Sequence, residues 1–388
     1  MFFPAGTVNA INNPSIMGVY THNYLNLSFH YLYMTQKSNQ SILQKLLSSI
    51  ESGAFKYESK EKEPINWSSY DQAQINEIND MLEYIRDMVD RAVQDLHIKE
   101  RYIKDRKKPG QPPVFPGYLA KSVLLQQYFQ IPNRVACGLV TLFREKLCIP
   151  SSFSYKSIER AYSNEYVQEI LQKIFEFTQE PVADKETDFS TDGTGIPTSI
   201  KYNYEQEKYG KKEGERNLDK FEQAILTVGS TYQIIADFII TDNPHAHESP
   251  YLKQSVKNVS EIYQEIDLWS ADAGYLSREN INAIGSVGAT PRIYPKANDT
   301  FLAKGSSEWK NMHYGFIENT QEWLREYHKR SLSETVNSTY LRMFPKPLAR
   351  KIRKRRLSEA FIRACDYNIK RLLYLKYLKG IEIQGDVT

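Results

Sequence analysis

The sequence predicts an α/β fold in which a mixed five-stranded sheet with flanking helices follows a mainly helical N-terminal region. Between residues 71 and 180, apolar residues recur every three or four positions, which is typical of helices. From residue 186 onward, short runs rich in β-branched and aromatic residues are typical of strands. The 388 residues suffice for two or three domains, and the 41% hydrophobic content excludes a wholly disordered chain.

One long helix and several short ones are predicted in the N-terminal half. Apolar residues from Ile75 to Leu96 form one face of the long helix. The prolines and glycines of residues 99–118 then indicate a linker or a domain boundary. Short helices are predicted over residues 40–52, 118–130, 133–147, 154–163 and 166–179.

The segment between residues 118 and 163 is compatible with a helix-turn-helix. In that arrangement Tyr155, Lys156 and Arg160 of the third helix would face DNA. A small helical bundle that does not touch DNA would show the same pattern, so both interpretations stay open.

Five strand-like runs and three helices are predicted in the second half. Their order is three strands, a helix, a strand, a helix, a strand and a final helix over residues 326–344. The strand-like runs are TDFSTDGTGI, EQAILTVG, TYQIIADFII, IDLWSAD and TPRIYP. In an open α/β sheet the carboxyl ends of the strands are the usual place for a functional site.

Three acidic residues fall at that predicted edge. Asp192 ends the first strand, where a predicted Gly-Thr-Gly turn would leave its carboxylate exposed, and Asp272 ends the fourth. Glu334 shares a face of the final helix with Tyr327 and Arg330, given about 100° per residue. Converging carboxylates suit Mg²⁺, and two such ions stabilise the attacking and leaving oxygens of a phosphodiester displacement.

These motifs resemble those of insertion-sequence transposases that carry an Asp-Asp-Glu triad on an RNase H-like fold. TDGTGI contains Asp192, ADAGY contains Asp272, and the Tyr–Arg–Glu–Lys signature matches at Tyr327, Arg330 and Glu334. The resemblance covers residues 186–345. It implies a DNA transposase whose triad binds two Mg²⁺ or Mn²⁺ ions and whose Tyr327 and Arg330 contact the DNA end. It also implies a homodimer on DNA, with the terminal inverted repeats and target DNA as partners.

Three details depart from that pattern or compete with it. Leu341 stands where the signature has its lysine, and we expect the neighbouring Arg342 to contact phosphate instead. Asp188 lies on the same face of the first strand as Asp192, which is preferred because of the predicted turn. The stretch DNPHAHESP is interpreted as a helix-capping loop and not as a transition-metal site.

The net charge of +3 is unevenly distributed. Between Lys346 and Lys379 only Glu359 and Asp366 oppose a run of basic residues, which favours a polyanionic partner such as DNA. A solvated basic tail is the alternative. The basic residues assigned to DNA contact are Lys351, Arg353, Lys354, Arg355 and Arg356.

The predicted organisation has four parts. Residues 1–110 form a helical region for dimerisation or DNA binding, and residues 111–183 form a helical DNA-binding region. Residues 184–345 form the catalytic domain, and residues 346–388 form a basic helical segment. Three cysteines without CxxC spacing fit a reducing cytosol, and neither a signal peptide nor a membrane span is predicted. We therefore expect a cytoplasmic prokaryotic protein that joins the nucleoid when it binds DNA.

Two other functions stay compatible with the sequence. One is an RNase H-like nuclease that lacks strand transfer. The other is a catalytically silent DNA-binding relative.

Overall fold

The computed structural model describes residues 37–56, 64–105, 113–199 and 220–383. The helices are α1 (residues 37–51), α2 (Trp67–Asp95), α3 (Ile98–Asp105), α4 (Pro116–Tyr128), α5 (Asn133–Leu142), α6 (Tyr155–Ala161), α7 (Glu165–Phe177), α8 (Leu252–Ser260), α9 (Arg278–Ser286), α10 (Ser307–Glu318), α11 (Thr320–Tyr327), α12 (Ser331–Met343) and α13 (Arg353–Lys379). The strands are β1 (Asp188–Pro197), β2 (Phe221–Gly229), β3 (Ile235–Ile240), β4 (Leu268–Ala271) and β5 (Thr290–Ile293).

The chain divides into two compact units. The smaller unit combines Met1–Tyr57 with Pro295–Thr320, and the larger unit combines Glu58–Tyr294 with Gln321–Thr388. In the smaller unit, Asn39 on α1 donates a hydrogen bond to Tyr314 on α10 at 3.0 Å.

The sheet of the larger unit has the strand order β3-β2-β1-β4-β5. Strands β1, β2 and β3 pair antiparallel, whereas β1 pairs parallel with β4 and β4 pairs parallel with β5. All nine residues of β2 are buried, as expected for an inner strand that is covered on both faces. The predicted α/β fold with a mixed five-stranded, RNase H-like sheet is therefore confirmed.

Helices cover this sheet and fix its site-bearing edge. Helix α8 packs on β3, α9 packs on β5, and α12 packs across β1 and β2. Helix α13 packs on β3 and on the N-terminal helices α2, α4 and α7. At the start of β3, the Asn368 side chain of α13 accepts the N–H of Ile235 at 2.8 Å and donates to its carbonyl at 2.9 Å. The basic C-terminal segment therefore contains a packed helix, which runs from Arg353 to Lys379.

Two local predictions are wrong. Residues 326–344 do not form one helix, because a 3₁₀ turn over His328–Arg330 separates α11 from α12. The hydroxyls of Ser331 and Ser333 donate to the carbonyls three residues earlier, which competes with regular helical hydrogen bonding.

The second wrong prediction is the turn after Asp192. Strand β1 continues to Pro197 and stays paired with β2 through Gly193 and Gly195, neither of which has a positive φ. A long partner strand therefore keeps this segment extended, and the glycines serve another purpose.

The linker prediction is also corrected in part. Residues Ile98–Asp105 form α3, whereas 106–112 lie outside the described residues. The predicted boundaries near residues 110, 183 and 345 stay predictions. None of the described helices is both long and apolar enough to cross a membrane.

Candidate active site

Asp192 and Asp272 follow the same rung of two neighbouring parallel strands. Thr191 on β1 pairs with Ala271 on β4, and β4 ends there. The two aspartates are the next residues on strands that lie about 4.8 Å apart. Asp272 caps the 3₁₀ turn that follows, because its carboxylate accepts the N–H of Gly274 at 2.7 Å. The register therefore brings both predicted aspartates to the edge where β4 ends.

The environment of Asp192 disfavours a negative charge. Burial is the largest cause that raises the pKa of Asp192 to about 7; Arg330 opposes this rise, and the charges of Glu248, Asp272 and Glu334 contribute to it. Asn337 on α12 donates a hydrogen bond to Oδ2 of Asp192 at 3.0 Å. A cation bound at this carboxylate would relieve the repulsion among the neighbouring acids.

Asp188, the rival for the first acid, has a different environment. Its carboxylate forms an ion pair with Lys329 of the 3₁₀ turn, one residue before Arg330. This pairing neutralises Asp188 within the chain and supports the choice of Asp192.

Glu334 and Arg330 lie at the start of α12. The guanidinium of Arg330 is 2.7 Å from a carboxylate oxygen of Glu334, in an i, i+4 ion pair. Arg330 also lies over the ring of Tyr327, 5.8 Å from its centroid, and Tyr327 stacks on Trp323. Burial opposes the charge of Arg330, but Tyr327, Glu334 and the two aspartates together raise its pKa. Tyr327, Arg330 and Glu334 therefore lie near Asp192 and Asp272, although the 3₁₀ turn interrupts the single helix on which the spacing had placed them.

The acids are grouped but do not form a closed ligand set. In the described part of the chain, no three His, Cys, Asp or Glu side chains are arranged to hold a metal ion. Glu334 is half exposed and engaged with Arg330. Yet the chemistry fits a divalent cation, since several carboxylates face one guanidinium and Oδ1 of Asn337 is buried with no hydrogen-bond partner.

Glu248 is a fourth carboxylate at this edge. Its oxygens accept hydrogen bonds from the Gln223 amide and, at 3.1 Å, from the Tyr275 hydroxyl. A Cβ atom on Gly193 would lie 2.3 Å from the carboxyl carbon of Glu248, so a larger residue at this position would force that carboxylate to move. His245, from the same loop, instead packs edge-on against Phe221.

The remaining signature positions lie further along α12. Leu341 is half-buried, and Arg342 is exposed. The guanidinium of Arg342 contacts the carbonyl of Ser338 and the hydroxyl of Thr339, both at 3.3 Å. Its assignment to phosphate stays a prediction.

The residues assigned to DNA contact outside α12 fall into two groups. Lys156 and Arg160 on α6, together with Lys351 and Lys354, are exposed, and the half-buried Tyr155 lies under the guanidinium of Arg134. In contrast, three arginines near the start of α13 form ion pairs inside the fold. Their pairs are Arg353 with Glu222, Arg356 with Glu222, and Arg355 with Glu159.

Sequence reasoning missed Asn337 and the position of Glu248. Asn337 lies three residues after Glu334, hence on the same side of the helix, which was a usable signal. Glu248 follows β3, whose carboxyl end lies at the same edge as that of β1 because both run antiparallel to β2. That relation requires the strand order, which the sequence does not provide.

An RNase H-like sheet with one acidic side chain on its first strand and another at the end of its fourth strand is typical of enzymes that act on nucleic acid phosphodiesters. Residues 184–379 match the transposase DDE domain, and the chain belongs to that family. It is also similar to a probable transposase for insertion sequence element ISA1214 of Archaeoglobus fulgidus. The identity is 25% over 293 residues, which cover 74% of this chain and 81% of that protein. The protein is therefore a transposase, an enzyme that processes DNA, which confirms the resemblance found in its motifs.

Proposed function

We propose that this transposase cuts DNA at the ends of an insertion sequence and joins the 3′ ends to target DNA. The observation that carries the proposal is the adjacency of Asp192 and Asp272 at the end of β4, with α12 packed across β1. Hydrolysis would expose a 3′ hydroxyl, and transesterification at the same site would join that hydroxyl to the target.

Asp192, Asp272 and Glu334 would hold two divalent ions, Mg²⁺ or Mn²⁺. Ions bound in this way stabilise the attacking and leaving oxygens of an in-line displacement. The protein supplies oxygen ligands at the strand ends, and the amide of Asn337 orients the carboxylate of Asp192. The surplus of carboxylates over guanidinium groups is the feature that supports this assignment.

Arg330 connects DNA binding to this site. Without DNA its guanidinium pairs with Glu334 at 2.7 Å. A phosphate of the DNA end would compete for Arg330, whose planar fork binds phosphate in a bidentate manner. Transfer of Arg330 to phosphate would release Glu334 toward the aspartates, while Tyr327 packs beside the same DNA end.

Exposed cations would hold the rest of the DNA. Lys156 and Arg160 would contact the terminal repeat in the region 111–183, and Lys351 and Lys354 would contact it in the region 346–388. Cutting two ends together implies a homodimer on DNA.

The decisive experiment is Glu334→Gln, which preserves size and removes the charge. Cleavage of terminal-repeat DNA in Mg²⁺ should fall by roughly three orders of magnitude, since a metal site supplies several kcal/mol of transition-state stabilisation. Glu322→Gln is the matched control because Glu322 forms a similar exposed ion pair on α11, with Arg325. Full cleavage by Glu334→Gln would exclude Glu334 from the triad.

A strand-transfer assay separates transposition from plain nuclease activity. Purified protein with a pre-cut end and a supercoiled target should form joined products. Nicking without joining would favour an RNase H-like nuclease, and specific DNA binding without metal-dependent cleavage would favour a silent relative.

A further inference from the structure

The carboxylate of Glu248 contacts three separate segments of the acidic edge. It lies in the loop between β3 and α8, just before the 3₁₀ turn Ser249–Tyr251. Strand β3 runs in the same direction as β1, so its following loop returns over the carboxyl end of the sheet. The roles proposed for Asp192, Asp272 and Glu334 do not involve Glu248.

Two contacts of Glu248 are with residues close to the proposed catalytic aspartates. Gly193 follows Asp192 directly, and its Cα hydrogens face the Glu248 carboxyl group so closely that a Cβ would collide with it. Tyr275 ends the 3₁₀ turn that Asp272 caps, and its hydroxyl donates to Oε2 of Glu248 at 3.1 Å.

The third contact comes from β2. Gln223 pairs with Gly195 in the ladder between β1 and β2, and its amide donates to Oε1 of Glu248. The two carboxylate oxygens therefore accept from two different donors, one on each side of the aspartates. A side chain with only one acceptor oxygen, such as glutamine, cannot accept from both donors with its two terminal atoms and must change one of these contacts.

We propose that Glu248 is a positioning residue that joins the segment of β1 bearing Asp192 to the turn bearing Asp272. The inference rests on the proposed metal-dependent function. Parallel strands β1 and β4 are paired only up to Thr191 and Ala271, so the ladder between these two strands does not join the two aspartates to each other beyond that rung. The Glu248 carboxylate connects the two aspartate-bearing segments through side-chain contacts. Gly193 is glycine because this carboxylate occupies the space that a Cβ atom would fill.

The experiment measures Mn²⁺ binding to the full chain by calorimetry, together with Mg²⁺-dependent cleavage of terminal-repeat DNA. For Glu248→Ala, Mn²⁺ affinity should fall roughly 10- to 100-fold, as for other groups that orient metal ligands. The kcat of cleavage should fall, whereas the KM for DNA stays within about twofold, because DNA contacts are made elsewhere. Glu248→Gln, with one acceptor oxygen, should show a smaller loss of Mn²⁺ affinity.

A glycine substitution tests the same contact from the other side. Gly193→Ala should lower Mn²⁺ affinity as much as Glu248→Ala, because the new methyl group displaces the carboxylate. In the double variant the two losses should not add, since one contact is removed twice. Gly138→Ala on α5 is the control glycine, because a Cβ there meets nothing within 4 Å.

Glu186→Ala separates positioning from general loss of structure. Glu186 also packs its carboxylate against a glycine, Gly229, but at the opposite end of the sheet, where it accepts the N–H groups of Thr231 and Tyr232. This variant should lose thermal stability without losing Mn²⁺ affinity.

The outcomes distinguish a failure of the role proposed for Glu248 from a failure of the proposed function. Wild-type Mn²⁺ affinity and kcat in a folded Glu248→Ala variant, or additive losses in the double variant, would overturn the role of Glu248 and leave the proposed function intact. A wild-type protein that neither binds Mn²⁺ nor cuts DNA would overturn both.

Discussion

Two charged regions of the larger unit treat their carboxylates in opposite ways. Near α13, the buried carboxylates of Glu222 and Glu359 have cationic partners. Glu222 accepts from Arg356 at 2.7 Å and from Arg353 at 3.3 Å. Glu359 accepts from Arg363 at 3.1 Å and from the N–H groups of Ala349 and Arg350. In the middle of β1, beside the end of β4, Asp192 by contrast faces three other carboxylates and one nearby guanidinium.

The comparison distinguishes charges that are neutralised within the fold, near α13, from charges that lack sufficient cationic partners, around Asp192. The attraction within each ion pair offsets the free-energy cost of removing both charges from water. The charges around α13 are therefore balanced without an external ion. The acidic edge retains a net negative charge that only a cation or a proton can neutralise. A basic stretch in the sequence is therefore partly structural, while a few scattered acids form the proposed metal site.

The largest effect that would test this contrast is expected from Asp192→Asn. The variant keeps the contact with Asn337 but loses the charge, so cleavage should fall by roughly three orders of magnitude. Without metal, its free energy of unfolding should equal or exceed that of the wild type, because a buried charge has been removed. Cleavage assays and urea unfolding measure the two effects. A variant that is less stable and still cleaves DNA would show that Asp192 supports the fold and not the chemistry.

On the balanced side, Glu359→Ala should reduce stability and leave DNA chemistry intact in the folded fraction. The substitution strands the buried guanidinium of Arg363, and breaking such a pair typically costs about 3–5 kcal/mol. Urea unfolding measures the loss, with Glu322→Ala as a control at an exposed pair. Unchanged stability in Glu359→Ala would show that the pairs around α13 do not support the fold.

Asp366 is an exception on the α13 side, and it provides a pH test. It is fully buried, and neither of its oxygens has a hydrogen-bond partner among the described residues. Burial raises its pKa well above the usual value, with only partial compensation from Arg363.

The sign of the pH effect follows from proton binding. The unfolded carboxyl ionises near pH 4, whereas the folded one keeps its proton to higher pH, so stability falls as pH rises above about 4. Asp366→Asn should therefore be more stable than the wild type by roughly 1–3 kcal/mol at pH 7, with little difference at pH 4. An equal gain at both pH values in urea unfolding would show that ionisation of Asp366 is not the cause.

The smallest effects are expected at the exposed lysines beside the paired arginines. Lys351→Ala and Lys354→Ala should each reduce the slope of log K against log salt for DNA binding by about one, with no loss of stability. Arg356→Ala is the contrasting variant, because it removes a partner of the buried Glu222. A larger change in salt slope for Arg356→Ala than for the lysines would assign DNA contact to the paired arginines instead.

The sequence was sufficient for the strands and for the order of the acids. TDGTGI and WSADAGY combine strand-forming residues with an aspartate and glycines, and the strand register then places Asp192 and Asp272 side by side. Local patterns of this kind survive because β-branched and aromatic residues pack well in a sheet.

What local patterns did not reveal depends on contacts between distant residues. The glycines after Asp192 were read as a turn, although Gly193 is extended and makes room for Glu248, 55 positions away (248 − 193). Likewise, the basic composition near α13 gave no sign that Arg353 and Arg356 meet Glu222. The spacing of apolar residues also gave no indication of the 3₁₀ turn before α12. The serine hydroxyls form local hydrogen bonds with the backbone there, and these do not change that spacing.

The amide of Asn368 at the start of β3 has a consequence for solubility. β3 is an edge strand, and an open edge offers unpaired backbone groups on which a strand of another molecule can assemble. The side-chain amide of Asn368 forms hydrogen bonds with both the N–H and the carbonyl of Ile235, as a neighbouring strand would do at one residue. We therefore expect Asn368→Leu to aggregate during expression, by recruitment of other chains at this edge.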